Sequence, residues 1–310
     1  MPEPSRAEGQ AAAATTPSRA SFGQRLSRAI ADQGPLCVGI DAHPAIMNAW
    51  SLPRTPAGLL RLSMTVVEAF AGRVAAIKPQ VAWYEAYGSG GIAVLEQTLE
   101  AAREAGLLTI ADAKRGDIGS TMEAYAHTWL ADESPLAADA VTLSPYLGTG
   151  SLAPAFELAE ATGRGTFVLA LTSNPEGAEV QHVGGDRSVA SRVVESVEAR
   201  NAHAALSTRP DRDQIVTNPH GLVVGATVGA SPAAVGVDLG KFTGPLLAPG
   251  YGAQGATARD LGVVFSQVRG NVVVNSSRGI LQAGPEVGAL REAAQAATDD
   301  LRPVLGAVSS

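Results

Sequence analysis

The sequence predicts a single (β/α)8 barrel, and three observations carry that prediction. Eight short apolar runs alternate with eight helical stretches along the 310 residues. Strict alternation of this kind implies a parallel sheet with helices outside it. Charged and polar residues gather at the carboxyl ends of the runs, which is where such barrels build their sites. The alternative, an open doubly wound sheet, lacks the GxGxxG that should follow its first strand. Length alone would suggest two domains, but barrels often run this long as one.

The elements follow in order. Residues 1–20 are rich in Pro, Ser, Ala, Thr and Glu without periodicity and read as a disordered tail, so the barrel domain spans 21–310. Phe22, Leu26, Ala29 and Ile30 recur at helical spacing and predict a first short helix. Leu36 to Ile40 is an apolar strand ending in Asp41, and a helix covers Thr55 to Ala71. Val74 to Ile77 is the second strand, ended by Lys78 with Pro79 as breaker, and a helix runs from Gly91 to Ala105. Leu107 to Ile110 begins the third strand. Along a strand the side chains alternate, so Asp112 and Lys114 project to one side. Gly116 then turns the chain, and Ser120 or Thr121 caps a helix to Leu130. Ala140 to Leu143, Thr166 to Leu171, Leu222 to Ala226, Pro245 to Ala248 and Asn271 to Asn275 are the remaining strands. Helices follow over 151–161, 189–206, after Pro232, over 257–268 and over 286–301. The connection 174–188 is Gly-rich and polar and reads as a surface excursion.

Composition narrows the class. At 45% hydrophobic residues the chain has material for a large core, and a net charge of -7 argues against a nucleic-acid footprint, which needs a basic face. Cys37 is the only cysteine, so there is no intrachain disulfide and no thiolate metal cluster. No apolar run approaches the ~20 residues that span a bilayer, and the first ~20 residues, lacking an apolar central segment, do not read as a secretory signal. The expectation is a cytoplasmic protein without membrane attachment.

The polar residues at the strand ends form the candidate site. The first strand supplies Asp41, the second Lys78, and the third Asp112 and Lys114 with Asp117 beyond. A lone strand-end Asp or Lys is more often a loop ion pair than a catalyst. Two Lys and three Asp closing three consecutive strands are different, because so much charge is costly unless it is paired or meets a ligand. The fifth strand ends in Thr172 and Ser173, the seventh runs into the Gly-rich segment Pro249 to Gly255, and the eighth reaches Arg278. Loops after the last two strands often hold a phosphate on backbone N–H groups, and an Arg adds a planar fork for its oxygens. Thr257 with Asp260 makes a capping box for the following helix. The five histidines lie at no metal-ligand spacing and read as structural, with His43, close to Asp41, the one to watch. Cys37, Trp50, Trp83 and Trp129 read as core or interface, and Tyr146 as pocket lining or packing.

With these residues in view, the chain resembles the orotidine 5'-phosphate decarboxylase family. The resemblance rests on a DxKxxDI signature, Asp112 to Ile118, with Thr121 three residues on, together with Asp41, Lys78, the PGxGAQG segment Pro249 to Gly255 and Arg278, all in order over residues 35–285. The Asp41-Ala42-His43-Pro44 form and the long connection after the fifth strand look like the actinobacterial-type branch. The resemblance implies decarboxylation of orotidine 5'-monophosphate to uridine 5'-monophosphate in pyrimidine synthesis, with no cofactor and no metal. It also implies a homodimer with shared sites. Lys78, Asp112 and Lys114 would act in their own subunit, while Asp117, Ile118 and Thr121 would complete the partner's. Asp41 would hold the ribose hydroxyls, Ser173 would contact the pyrimidine with Pro249 packing nearby, and Gln254 and Arg278 would bind phosphate.

The chemistry suits these residues. Loss of CO2 from C6 leaves a carbanion in the ring plane, which the ring π system delocalises poorly. An ammonium can stabilise that charge and then supply the proton, and Lys114 is the candidate. Carboxylates beside it keep a buried lysine charged, a unit pair at 4 Å being worth ~4 kcal/mol at an effective dielectric of 20. Two rival readings fit the same core motif. One is a Mg2+-dependent sugar-phosphate decarboxylase or aldolase of the same superfamily, which shares the Asp-x-Lys-x-x-Asp core. The other is a non-catalytic barrel that binds a nucleotide monophosphate. Ile118, Thr121 and the Ala253-Gln254-Gly255 segment favour the nucleotide enzyme over the first, and Lys114 between carboxylates favours it over the second.

Overall fold

The computed structural model describes residues 19–207, 218–226, 232–252, 255–268 and 272–305. Eight parallel strands form its centre: β1 (Leu36–Ile40), β2 (Ala76–Pro79), β3 (Ile110–Arg115), β4 (Ala140–Leu143), β5 (Gly165–Leu171), β6 (His220–Val224), β7 (Leu246–Pro249) and β8 (Val272–Ser276). They pair in the order β2-β1-β8-β7-β6-β5-β4-β3, and single bridges at Ile77–Thr109 and Gln80–Asp112 join β2 to β3. The sheet therefore closes on itself, which excludes the open alternative.

Closure divides the apolar residues into two layers. Inward-facing Cys37, Ala76, Ile110, Ala140, Phe167, Val223, Leu247 and Val273 fill the barrel interior. Outward-facing residues of the same strands, among them Val38, Ile77 and Val274, pack under the helices. Alternation along each strand separates the two sets, as it must for a sheet buried on both faces.

The helix Phe22–Gln33 has a role that periodicity alone does not reveal. Its Phe22, Leu26 and Ile30 join the interior layer, and Phe22 meets Phe167 edge-on with ring centroids 5.8 Å apart. Gly165 makes room, because a Cβ there would lie 2.2 Å from the Phe22 ring. The helix plugs the end of the barrel opposite the site. A full capping box at Ser21 and Gln24 starts it. Just before it, Arg19 pairs with Asp132 at 3.2 Å.

Several expected boundaries move. Pro79 is the last residue of β2 rather than the first beyond it, with Ile40 as its register partner on β1. A strand's last residue at the barrel mouth can do without its N–H donor, so Pro is tolerated there. The third strand starts at Ile110 rather than Leu107 and runs through Arg115, so Asp112 and Lys114 lie within it as expected. The helix Gly119–Leu130 is capped by neither Ser120 nor Thr121. It begins at Gly119, so both already lie in its first turn. The connection after β5 folds into short turns at Pro175–Gly177, Ala178–Gln181 and Gly185–Arg187. It is tied back to the strand end by Gln181, whose side chain takes the Thr172 N–H at 2.9 Å and donates to the Thr172 hydroxyl at 2.8 Å.

Two of the histidines serve the fold. His43 caps the helix Pro44–Ala49 by accepting the Ala45 N–H at 3.2 Å. His220 is buried between the Thr166 hydroxyl at 3.0 Å and Glu160 at 2.9 Å. Burial lowers its pKa more than the Glu160 carboxylate raises it. Among the described residues no helix is long and apolar enough to cross a membrane.

Candidate active site

Strands β2 and β3 bring three charges into one line. Lys78 Nζ lies 2.5 Å from Asp112 Oδ2, and Lys114 Nζ lies 2.5 Å from Asp112 Oδ1. One carboxylate thus bridges two ammonium groups. The Lys78 and Asp112 side chains are 6% and 10% exposed, whereas that of Lys114 is 45% exposed. The line therefore runs from the barrel interior out to its mouth.

Simple alternation does not explain how Lys114 gets there. Its backbone sits in the left-handed region at φ +50°, and the register of β3 against β4 shifts between Ala111 and Arg115. A non-glycine residue held there costs about 1–3 kcal/mol and persists only when its surroundings fix it. Thr142 on β4 does so: its hydroxyl accepts the Lys114 N–H at 2.9 Å and donates to Asp112 Oδ1 at 3.1 Å. Thr142 is a site residue that the sequence reading passes over as an ordinary strand position.

The electrostatics follow from this packing. Burial raises the cost of charge on Asp112, but the two ammonium groups beside it hold its carboxyl well below the usual carboxylate range. Burial also works against the Lys78 ammonium, and the carboxylates of Asp112 and Asp41 more than offset it, so its pKa is raised. Deeper on β1, burial pushes the Cys37 thiol up to about 12, which leaves it a neutral core residue.

A cavity of about 290 Å³ opens above these charges. Asp41, Lys78, Asp112, Lys114, Ser173, Pro249 and Arg278 all line it, so the structure brings seven of the sequence-predicted residues together. Leu169, Val223 and Leu247 supply an apolar wall from β5, β6 and β7. The loop after β7 needs its glycines, since Gly250, Gly252 and Gly255 have φ of 114°, 74° and 94°. Thr257 and Asp260 form the expected capping box on the helix that follows. Gln254 lies outside the described residues. Among those described, no three His, Cys, Asp or Glu side chains gather where they could hold a metal ion.

Asp117, Ile118 and Thr121 do not line this cavity. At Gly116 the chain passes so close to the Ser144 carbonyl that a Cβ would lie 2.3 Å from it, and beyond it the chain leaves the mouth. Asp117 Oδ1 accepts the Ile118 N–H at 2.8 Å. Ile118 is 62% exposed, and Tyr146, on the neighbouring loop after β4, is 79% exposed rather than lining the pocket. Ser144 N–H donates to Arg115 O at 2.7 Å and joins the two loops.

Comparison with known proteins agrees with this architecture. The sequence pattern of the orotidine 5'-phosphate decarboxylase / HUMPS family matches residues 34–293. The chain is similar to orotidine 5'-phosphate decarboxylase of Salinispora arenicola, 52% identical over 92% of this chain and 98% of the relative. It is similar to the Streptomyces coelicolor protein of the same name, 52% identical over 92% of this chain and 99% of that one. Among solved structures, OMP decarboxylase of Leishmania donovani superposes with a TM-score of 0.72 at 29% identity, covering 93% of this chain and 100% of that chain. With the barrel, the Asp112-to-Ile118 signature and relatives of this similarity in agreement, the chain belongs to the orotidine 5'-phosphate decarboxylase / HUMPS family.

Proposed function

We propose that this chain decarboxylates orotidine 5'-monophosphate to uridine 5'-monophosphate, a step of pyrimidine nucleotide synthesis. The observation that carries the reading is the Lys78–Asp112–Lys114 line, which ends in a lysine at the mouth of a cavity with Arg278 on its rim. The C6–carboxylate bond breaks, CO2 leaves, and the electron pair stays on C6. The Lys114 ammonium faces that developing charge and then delivers its proton to C6. Asp112 fixes the ammonium and Lys78 fixes Asp112, so little reorganisation is needed as charge develops. Asp41 is assigned to the ribose hydroxyls, and Ser173 and Pro249 to the ring. The phosphate goes to Arg278 and Gln254. Grip on that remote group helps order the reacting centre.

The working unit in this reading is a cytoplasmic homodimer. Asp117, Ile118 and Thr121 stand outside their own cavity, and Ile118 is exposed together with Tyr146 of the adjoining loop. Exposed apolar side chains next to site-type residues suit a surface that a second copy covers. Asp117 would then add a second carboxylate to the partner's line of charges.

The Mg2+-dependent sugar-phosphate reading is the rival within the same family. Relatives at 52% identity that carry the decarboxylase name favour the nucleotide substrate. The test is the absorbance change of orotidine 5'-monophosphate with purified protein, with and without a chelator. Turnover that survives the chelator is expected. Inert orotidine 5'-monophosphate, or turnover that needs added Mg2+, would overturn the reading.

A further inference from the structure

One polar side chain deep in the cavity has a part to play that the roles above do not assign. Asn275 on β8 is 8% exposed and lines the cavity, following the apolar residues Val272, Val273 and Val274 of its strand. Its amide is half used. Nδ2 reaches Ser277 Oγ at 3.3 Å, while Oδ1 is buried with no hydrogen-bond partner among the described residues. A buried acceptor left unpaired is costly and needs a reason.

Its place in the barrel says what the partner is. Arg278 follows three residues later, and β8 pairs with β7, whose Gly-rich loop forms the same rim. On its other side β8 pairs with β1, where Gly39 stands in register with Lys78, two residues before Asp41. Gly39 leaves room for this arrangement, because a Cβ there would lie 1.9 Å from Ser277 Oγ and 3.2 Å from Asn275 Oδ1. Asn275 thus sits between the phosphate end of the cavity and the charged end. Resting on the nucleotide reading above, the part of the ligand that lies between phosphate and ring is the sugar.

We propose that Asn275 is a substrate-binding residue whose free carbonyl accepts a hydrogen bond from a ribose hydroxyl, and so helps the site select ribonucleotides over deoxyribonucleotides. A purely structural Asn, there only to hold Ser277, would affect every ligand alike.

The test is calorimetric titration of the wild type, Asn275→Ala and Asn275→Ser with uridine 5'-monophosphate and its 2'-deoxy and 3'-deoxy analogues. The Kd for uridine 5'-monophosphate should rise about tenfold in both variants. The analogue that lacks the recognised hydroxyl should bind wild type and variants equally, and this unchanged Kd also reports an intact fold. Asn275→Ser covers the case in which Asn275→Ala does not fold. An equal loss for all three ligands, no loss at all, or a wild type that binds all three alike would overturn the proposal. A wild type that binds no uridine 5'-monophosphate would overturn the nucleotide reading with it. A wild type that binds and turns over, with variants of unchanged selectivity, would overturn only the role of Asn275.

Discussion

Lys114 and Asp112 meet at 2.5 Å within an irregular stretch of β3, where its register against β4 shifts. The left-handed backbone at Lys114 brings its ammonium back to Asp112 Oδ1, and Thr142 holds both residues with one hydroxyl. Strain at a site persists when neighbours fix it, so Thr142 is the first place to look for its consequences. Thr142→Val removes both hydrogen bonds at nearly constant volume. Turnover should fall about tenfold and stability by about 1–3 kcal/mol, with the Kd for uridine 5'-monophosphate unchanged. Steady-state kinetics beside urea unfolding checks this; an unchanged kcat would remove Thr142 from the account.

The buried pair makes stability depend on pH in a defined direction. The Asp112 carboxyl is depressed in the fold, so its contribution is present above ~3.9, the ordinary aspartate value, and is lost as pH falls below it. Lys78 is raised, so its contribution is present below ~10.4 and is lost as pH climbs above it. Asp112→Asn leaves Lys78 buried without its carboxylate, which should cost about 3–5 kcal/mol at neutral pH. The gap between wild type and variant in urea unfolding should narrow as pH drops through about 4 toward 2. A gap independent of pH would mean that the ion pair is not its source.

Arg278 should matter for the phosphate alone. Arg278→Ala is expected to weaken uridine 5'-monophosphate by about 10–100-fold, the worth of a charge-assisted contact, and to leave uridine unaffected. Equal losses for the nucleoside and the nucleotide would contradict the assignment.

The shared site predicts complementation. Lys114→Ala and Asp117→Ala subunits, each inactive alone, should regain activity when mixed, because one of the two sites in a mixed dimer keeps both groups. The yield is at most about a quarter of wild type for random exchange, where half of the dimers are mixed and each has one intact site. No recovery after exchange is confirmed by mass labelling would place Asp117 elsewhere.

Much of this arrangement is legible before any coordinates are known. Apolar runs buried on both faces stand out as uninterrupted stretches such as Leu36 to Ile40 and Ala140 to Leu143, and their polar ends mark the mouth. Facts that depend on register are not legible. Thr142 reads as one more β-branched strand residue until β4 is set beside the kink in β3. Asn275 reads as a strand end until its amide is seen in the cavity. Phe22 and Leu26 show the period of a helix but not that the helix closes the barrel, since that depends on Phe167 and Gly165 far along the chain. The exposure of Ile118 and Tyr146 is likewise a property of the folded surface.

The claim on which the rest depends is that Lys114 supplies the proton to C6. Purified wild type and Lys114→Ala, compared for decay of orotidine 5'-monophosphate absorbance and for binding of uridine 5'-monophosphate, test it directly. Turnover of Lys114→Ala should fall by at least about 10³-fold, in the range for a lost general acid that also stabilises charge, with the Kd for uridine 5'-monophosphate within about tenfold of wild type. A Lys114→Ala protein that decarboxylates at close to the wild-type rate would contradict it.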